Sequence, residues 1–486
     1  MIINTSLNDF KRKHQNKKNQ IIFCETKCKN NKIIENIINN FLIKKNSFIF
    51  ESVEKRRIRG RYTIIGADPD KIWEFSNKKI HIIENNRKKI IKESPYAFMK
   101  KLIENFHFPL PKNLPPLCSL LVGYFSYDII RYIESIPDNC LDDLKIPDVR
   151  LLRPKTIIIH DNVLKKIYFI KNCFADEKIN NYQKYLLELK KNINHLKNLA
   201  FDFSYKKVVK KSKNRKINVK SNISKKKFKN MVLKAKKYIK KGDIFQVVLS
   251  QRFESKLTKA PLEIYKKLRI KNPSPFMFFF NFEDFQIIGS SPEILVRLRK
   301  NKITIRPIAG TRPRGLNAKR DNFFKKQLLN DKKELSEHLM LLDLGRNDVG
   351  KVSKINTVKV TEKFKIEKYS HVMHIVSNVE GSFDNKQSML DTMLAGFPAG
   401  TVTGAPKIRA MEIIDELEKN KRKMYAGSIG YFSADRNFDT CIALRTALIK
   451  NNKFYIQSGA GIVADSVPEK EYLETVNKAK ALISSL

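Results

Sequence analysis

Four glutamates stand in two pairs of equal spacing. Glu334 and Glu337 lie in KKELSEHLMLLDLGRNDVG, and Glu471 and Glu474 lie in VPEKEYLETVNKAKALI. Leu335, Leu339, Leu342 and Leu344 recur at roughly helical intervals in the first segment, which predicts a helix running into a Gly-Arg-Asn-Asp turn at 345–348, and Pro468 opens a helix in the second. Each pair is therefore expected on one helix face, three residues apart. Two carboxylates on one face repel unless a cation or water compensates. Either pair alone fits a solvated helix surface. Brought together, the four would form an oxygen-only site, which suits Mg²⁺ better than zinc.

Other segments point to a small anion. Phe397 to Lys407 sets Gly400 and Gly404 around the hydroxyls of Thr401 and Thr403, ahead of a helix expected over 408–418. Backbone amides at such a turn can face an anion, and Lys407 adds a cation; an ordinary capped helix fits the same residues. Pro307 to Gly315 carries two Gly and two Pro in nine residues, which predicts a tight loop close to a ligand or a plain surface turn. Gln457-Ser-Gly-Ala-Gly461 places small residues at a strand end. Arg445 interrupts an apolar strand-like run and needs an anionic partner, from substrate or protein. Together these residues suggest a small, multiply anionic substrate held by backbone amides and arginine, with Mg²⁺ on one carboxylate.

The elements that must position them fall in two regions. Residues 1–205 alternate strand-like runs (Ser47–Val53, Tyr62–Gly66, Leu120–Tyr127, Thr156–Asp161) with helical ones, and Tyr182–Leu199 reads as a polar helix. Residues 206–227 are nearly all Lys, Asn, Ser and Val, which predicts a mobile linker or exposed loop. Residues 228–486 open on a helix, Phe228–Lys241, then a strand, Ile244–Gln251, and carry the chemistry.

Composition narrows the alternatives. The chain has 486 residues, 42% of them hydrophobic, which is ample for a large core. Its net charge of +47 raises the possibility of a basic nucleic-acid-binding protein. The lysines are spread evenly among Asn and Ile, however, with no zinc-finger spacing or RNA-binding aromatic signature, so a solvated lysine surface is expected and no nucleic-acid partner. Six scattered cysteines and the absence of an apolar leader point to a reducing, cytoplasmic setting. No apolar run reaches the about 18 residues that a membrane helix needs.

As a set, PIAGTRPRG, ELSEHLMLLDLGRNDVG, YSHVMHIVSNVEG, AGTVTGAPKIRAMEIIDELE, AGSIGYFS, DTCIALRTALI and QSGAGIVADSVPEKEYLET resemble, in order, the motifs of the chorismate-utilising enzymes. The resemblance is strong over residues 225–486 and loose before them. It implies an α/β fold with two packed β-sheets flanked by helices, in which the N- and C-terminal regions interleave as one composite body. It implies Glu337 and Glu474 as direct Mg²⁺ ligands, with Glu334 and Glu471 supporting them. It implies chorismate contacts at Gly310, Thr311, Thr401, Tyr425, Arg445, Gly459, Ala460 and Gly461. Lys478 would neutralise the ring carboxylate, His374 would serve the elimination step, and Glu293 would protonate the departing 4-hydroxyl.

Two positions select a branch within that resemblance. Aminodeoxychorismate synthases carry a nucleophilic lysine where this chain has Ala309. The isochorismate and salicylate enzymes carry a water-activating lysine where it has Gln246. Both departures favour the anthranilate-forming branch, in which ammonia attacks directly; the aminodeoxychorismate branch is the nearest rival. That branch implies a separate glutamine amidotransferase subunit as ammonia source. It also implies L-tryptophan as a feedback inhibitor, bound at Ser52, Pro275, Phe276 and Met277.

Overall fold

The structure is a computed structural model and describes residues 5–28, 31–52, 60–177, 182–201, 218–369 and 372–485. Its 22 described strands form two antiparallel sheets that share two long strands, Tyr62–Ser76 and Val149–Asp161. Early in the first of these, Phe48 to Glu51 pair with Gly66 to Thr63. Later in it, Lys71 to Ser76 pair with Glu84 to Lys79. Pro69 faces Pro154 at a register shift between the halves. Proline gives no ladder hydrogen bond, so the pair marks the natural place for both strands to bend from one sheet into the other. The expected two packed sheets are thus present, joined into one hydrogen-bonded network.

The first sheet runs from Gln20–Lys27 through Ser47–Glu51, Phe276–Asn281, Gln286–Ser291, Thr446–Lys450 and Lys453–Ile462 to Gln246–Lys256. The second runs through Leu120–Phe125, Ser428–Ser433, Phe438–Ile442, Ile294–Arg299 and Lys302–Ile305 to Val372–Ser382. Strands from the first third of the chain therefore pair with strands more than 200 positions later, as interleaving requires.

Alternation decides what fills the space between. Phe48, Ile64, Ile157, Phe278, Phe280 and Ile287 point into the large core between the sheets. Their neighbours Ile49, Ile65, Ile158, Phe279 and Ile288 point outward, under helices such as Pro261–Lys271 and Pro468–Ile483. Both faces are buried, so these strands read as continuous apolar runs. Each large side chain removed from water contributes about 1.5–3 kcal/mol.

Several local expectations change. Positions 206–217 of the predicted linker lie outside the described residues, but its end is ordered. Lys220–Ser221 pairs with Gln246–Lys256, and Ser224 caps the helix Lys225–Lys240 by accepting from the Lys227 amide at 3.2 Å. The helix carrying Glu334 and Glu337 runs through Gly345 to Gly350 rather than stopping at a Gly-Arg-Asn-Asp turn, because Leu341, Leu342, Asp348 and Val349 are buried along it. Pro307–Gly315 is not a loop. Ile308–Pro313 is an edge strand on Val372–Ser382, with a bulge between Ala309 and Thr311.

Candidate active site

The site forms where one end of each sheet meets the two glutamate helices. Asp331 caps the helix Lys332–Gly350, accepting from the amides of Lys333 and Glu334 at 3.1 and 3.2 Å, which fixes the first turn and Glu334 within it. Glu337, a turn further on, accepts from Gln246 Nε2 at 3.2 Å. Gln246 begins the strand whose partner carries Gly459, Ala460 and Gly461 opposite Ser250, Leu249 and Val248. The predicted small residues therefore have a mechanical reason. A Cβ on Gly461 would lie 2.4 Å from Gln246 Nε2, and one on Gly459 would lie 2.6 Å from the Tyr425 hydroxyl. Gly461→Ala should thus cost no more stability than the one hydrogen bond it displaces, because only a side-chain tip must move. The displaced amide should abandon Glu337, and since a hydrogen bond to a charged group contributes about 1.5–3 kcal/mol, kcat/KM should fall roughly tenfold or more. Steady-state kinetics beside a melting curve checks both halves.

The second helix, Pro468–Ile483, brings Glu471 and Glu474 to the same place. Lys478 pairs with Glu474 at 2.7 Å and donates to the Gly459 carbonyl at 3.1 Å. Burial pushes the Glu337 carboxyl above its usual range, and the charges of Glu334 and Glu474 add to this against the Gln246 amide and Lys478. Glu471 is raised for the same first reason, with Glu474 adding. The four carboxylates do converge enough to feel one another. Even so, among the described residues no group of three acidic, His or Cys side chains stands in metal-holding geometry. Cations occupy two of the four instead: Glu474 is held by Lys478 and Glu334 by Arg312, at 3.0 Å. The chemistry of the donor set, four carboxylates with no nitrogen or sulfur, is the kind that a hard cation such as Mg²⁺ takes.

His374 sits on Val372–Ser382, directly across from Thr311. Its Nδ1 lies 2.9 Å from the Gly310 carbonyl and 3.1 Å from the Thr311 hydroxyl. A carbonyl can only accept, so Nδ1 carries the proton and Nε2 the lone pair. Burial, then Arg445 and Lys478, lower His374 to about 4, so the ring is neutral. Gly310 adopts φ +67°, a left-handed conformation that glycine supplies at no cost, and its Cβ position lies 3.1 Å from Glu334 Oε2.

Glu293 lies between Gln286–Ser291 and Ile294–Arg299 and is buried. Burial pushes its carboxyl up to about 8, against the pull of the Thr401 hydroxyl, the Ile308 amide and Arg445. Thr401 sits in the short turn Gly400–Val402. Arg445 is not inside a strand but in the break between Phe438–Ile442 and Thr446–Lys450, at φ +47°, a strained geometry typical of functional positions. Burial lowers its pKa, and among the described residues no carboxylate pairs with it. Lys407, read as a second cation for the ligand, is instead buried against Asp348 at 3.0 Å and ties its own helix, Lys407–Leu417, to Lys332–Gly350.

Two groups escaped the sequence reading. Arg422 is fully buried. It donates to Glu418 through Nε (3.0 Å) and Nη2 (2.6 Å), to the Val402 carbonyl (2.7 Å) and to the Val248 carbonyl (2.6 Å), and its guanidinium lies 5.4 Å from the Tyr425 ring. It thereby braces the Thr401 turn, the Gln246 strand and Tyr425 at once. In the sequence it stands in Asn-Lys-Arg-Lys, which looks like solvent-facing charge. Tyr369, packed 5.5 Å from the His374 ring, likewise carries no signal of its own.

A separate cleft of about 1160 Å³ is lined by Ser52, Pro275, Phe276 and Met277, the four residues implied for an inhibitor, together with Phe50, Tyr431, Ile308 and Tyr369. Glu51, beside Ser52, is held by Tyr265 and by Arg269 at 3.0 Å.

A protonated buried acid, a neutral imidazole, an unpaired arginine and a carboxylate cluster define an enzyme site for a small anionic substrate. The profile of the chorismate binding enzyme family matches residues 45–484. Anthranilate synthase component 1 of Cereibacter sphaeroides is 44% identical, the match covering 98% of this chain and 96% of that protein. The protein of the same name from Acetivibrio thermocellus is also 44% identical, over 90% of each chain. The crystal structure of anthranilate synthase component I from Streptococcus pneumoniae superposes with a TM-score of 0.77 at 36% identity, covering 89% of this chain and 94% of that one. The chain belongs to the chorismate binding enzyme family, in the group of the anthranilate synthase component 1 proteins.

Proposed function

We propose that this chain forms anthranilate and pyruvate from chorismate and ammonia, the first committed reaction toward tryptophan. The observation that carries the reading is the buried Glu293 carboxyl, which holds its proton at neutral pH, beside an Arg445 guanidinium without a carboxylate partner among the described residues. Arg445, with Tyr425, receives the enolpyruvyl carboxylate, and the backbone around Gly459, Ala460 and Gly461 receives the ring end. Glu293 gives its proton to the departing 4-hydroxyl, which leaves as water while ammonia adds at C2. The C2 ammonium returns one proton to the Glu293 carboxylate; His374, neutral with a free Nε2, then takes the C2 proton as the ring C–O bond breaks and the ring becomes aromatic, and that proton passes to the released enolate, which becomes pyruvate. Glu337 and Glu474 would hold Mg²⁺, supported by Glu334 and Glu471. When bound, the ion supplies a positive charge that anchors and polarises the ring carboxylate. Gln246 is an amide donor to Glu337 and no base, and Ala309 offers no nucleophile, so neither water nor a covalent lysine competes with ammonia.

The relatives' name, component 1, supports a second component, read here as a glutamine amidotransferase that delivers the ammonia. The cleft at Ser52 and Pro275 to Met277 supports tryptophan as inhibitor, since it reaches Tyr369, which packs on His374. Six free cysteines among the described residues and no described helix long and apolar enough to cross a membrane are compatible with action in the cytoplasm.

The test is incubation of the chain with chorismate, ammonium and Mg²⁺, with and without tryptophan. Fluorescent anthranilate that decreases with added tryptophan is expected. Accumulation of 4-amino-4-deoxychorismate would place the chain in the aminodeoxychorismate branch and overturn the proposal.

A further inference from the structure

The two cations on the glutamates differ in how firmly they are tied elsewhere. Lys478 is half-exposed and has one further contact, the Gly459 carbonyl. Arg312 is mostly buried and engaged on all sides. Its Nη2 donates to Asp331 at 2.7 Å, its Nη1 to its neighbour's carbonyl, Thr311, at 2.9 Å, and its Nε to Gln327 at 3.2 Å, in addition to the 3.0 Å contact from Nη1 to Glu334. Asp331 is the cap of the Glu334 helix, so Arg312 is fastened to the same helix turn whether or not it holds Glu334.

That arrangement makes release of Glu334 inexpensive. A guanidinium that gives up one carboxylate oxygen here keeps three other partners and stays in place. On the other side, Arg312 is the one cation that pairs with Glu334 among the described residues. We propose that Arg312 is a stand-in cation: it holds Glu334 while the carboxylate cluster lacks its metal, and surrenders it when a divalent ion arrives. Arg312 is then a positioning residue that sets the affinity of the cluster for the ion and, beside Lys478 on Glu474, offsets the repulsion among its carboxylates while the ion is absent. The inference rests on the reading of the four glutamates as the magnesium site.

The direction of the expected effect is unusual, because deleting a side chain should tighten binding. Mn²⁺, a paramagnetic substitute for Mg²⁺, is titrated into the full chain with the free ion counted by electron paramagnetic resonance and no substrate present. Arg312→Gln should bind Mn²⁺ roughly two- to fivefold more tightly than the wild type, the range that competition from a partly exposed ion pair supports. Arg314→Gln removes the same charge two residues away from a side chain paired with Asp321 and should not tighten binding. Unchanged or weaker affinity in Arg312→Gln, or equal tightening in Arg314→Gln, overturns the proposal. A wild type whose Mn²⁺ binding survives Glu474→Gln undiminished would instead refute the metal site itself. Should Arg312→Gln fail to fold, a crystal structure of the wild type with Mn²⁺ decides: loss of the Arg312–Glu334 contact supports the exchange, and its persistence beside a bound ion overturns it.

Discussion

Glu293→Gln should lower kcat for anthranilate formation by about 10²- to 10⁴-fold, the contribution of a positioned general acid. The amide keeps the shape and the hydrogen bonds but has no proton to give to the 4-hydroxyl. The wild type should show the corresponding pH limb. Glu293 is raised to about 8, so its protonated, active form declines as pH rises through that value, and the rate should decline with it. His374 is lowered to about 4 and stays neutral throughout this range, so it does not shape the alkaline limb. Stability carries the same sign. A carboxyl raised from 4.5 in the folded state stabilises the fold below 4.5, and that contribution is lost as pH climbs to about 8. A pH–rate profile from 6 to 10 on both proteins measures this; a Gln variant within severalfold of the wild type would remove Glu293 from the mechanism.

Arg422→Ala should be the most destabilising single change near the site, costing about 3–5 kcal/mol, because it strands the buried Glu418 carboxylate. Glu418 accepts from Arg422 and from the Ser250 amide and hydroxyl, each at 2.8 Å, and without the guanidinium only the serine remains. The comparison that isolates the charge is a paired replacement, Arg422→Met with Glu418→Leu. It should unfold at higher denaturant concentration than Arg422→Ala, since no charge is left unpaired. Equal stability of the single and paired variants would mean that packing of Arg422 against Tyr127 and Tyr425, and not the ion pair, holds this region.

What could be read from the residues alone follows from how local the cause is. Glu334 and Glu337, like Glu471 and Glu474, share a helix face because spacing within one helix dictates it. The small residues at 459–461 could be expected near a ligand, but their cause, the tips of Gln246 and Tyr425, is set by pairing across strands and was out of reach. Pro307–Gly315 looked like a loop because Gly and Pro weaken any strand; the edge position on Val372–Ser382 tolerates them. The helix through Gly345 was hidden for a similar reason, since burial of Leu341, Leu342 and Val349 outweighs the low helix propensity of glycine. Arg422 was invisible, because nothing in a Lys-Arg-Lys run distinguishes a core guanidinium from a solvated one. Lys407, in turn, looked free and is locked to Asp348.

The way strand Gln246–Lys256 is held has a consequence for biosynthesis. Its long neighbour is Lys453–Ile462, which joins it to the rest of its sheet. Gln246 has emerged from the ribosome some 200 residues before that neighbour exists. Until the last tenth of the chain is made, the edges of Gln246–Lys256 and Gln286–Ser291 that Lys453–Ile462 and Thr446–Lys450 later cover stay unpaired, and such edges invite pairing with other chains. The nascent protein thus passes about two-fifths of its synthesis with its active-site strand made but not covered. Its yield in a cell should depend more on chaperone supply and translation speed than the large finished core would suggest.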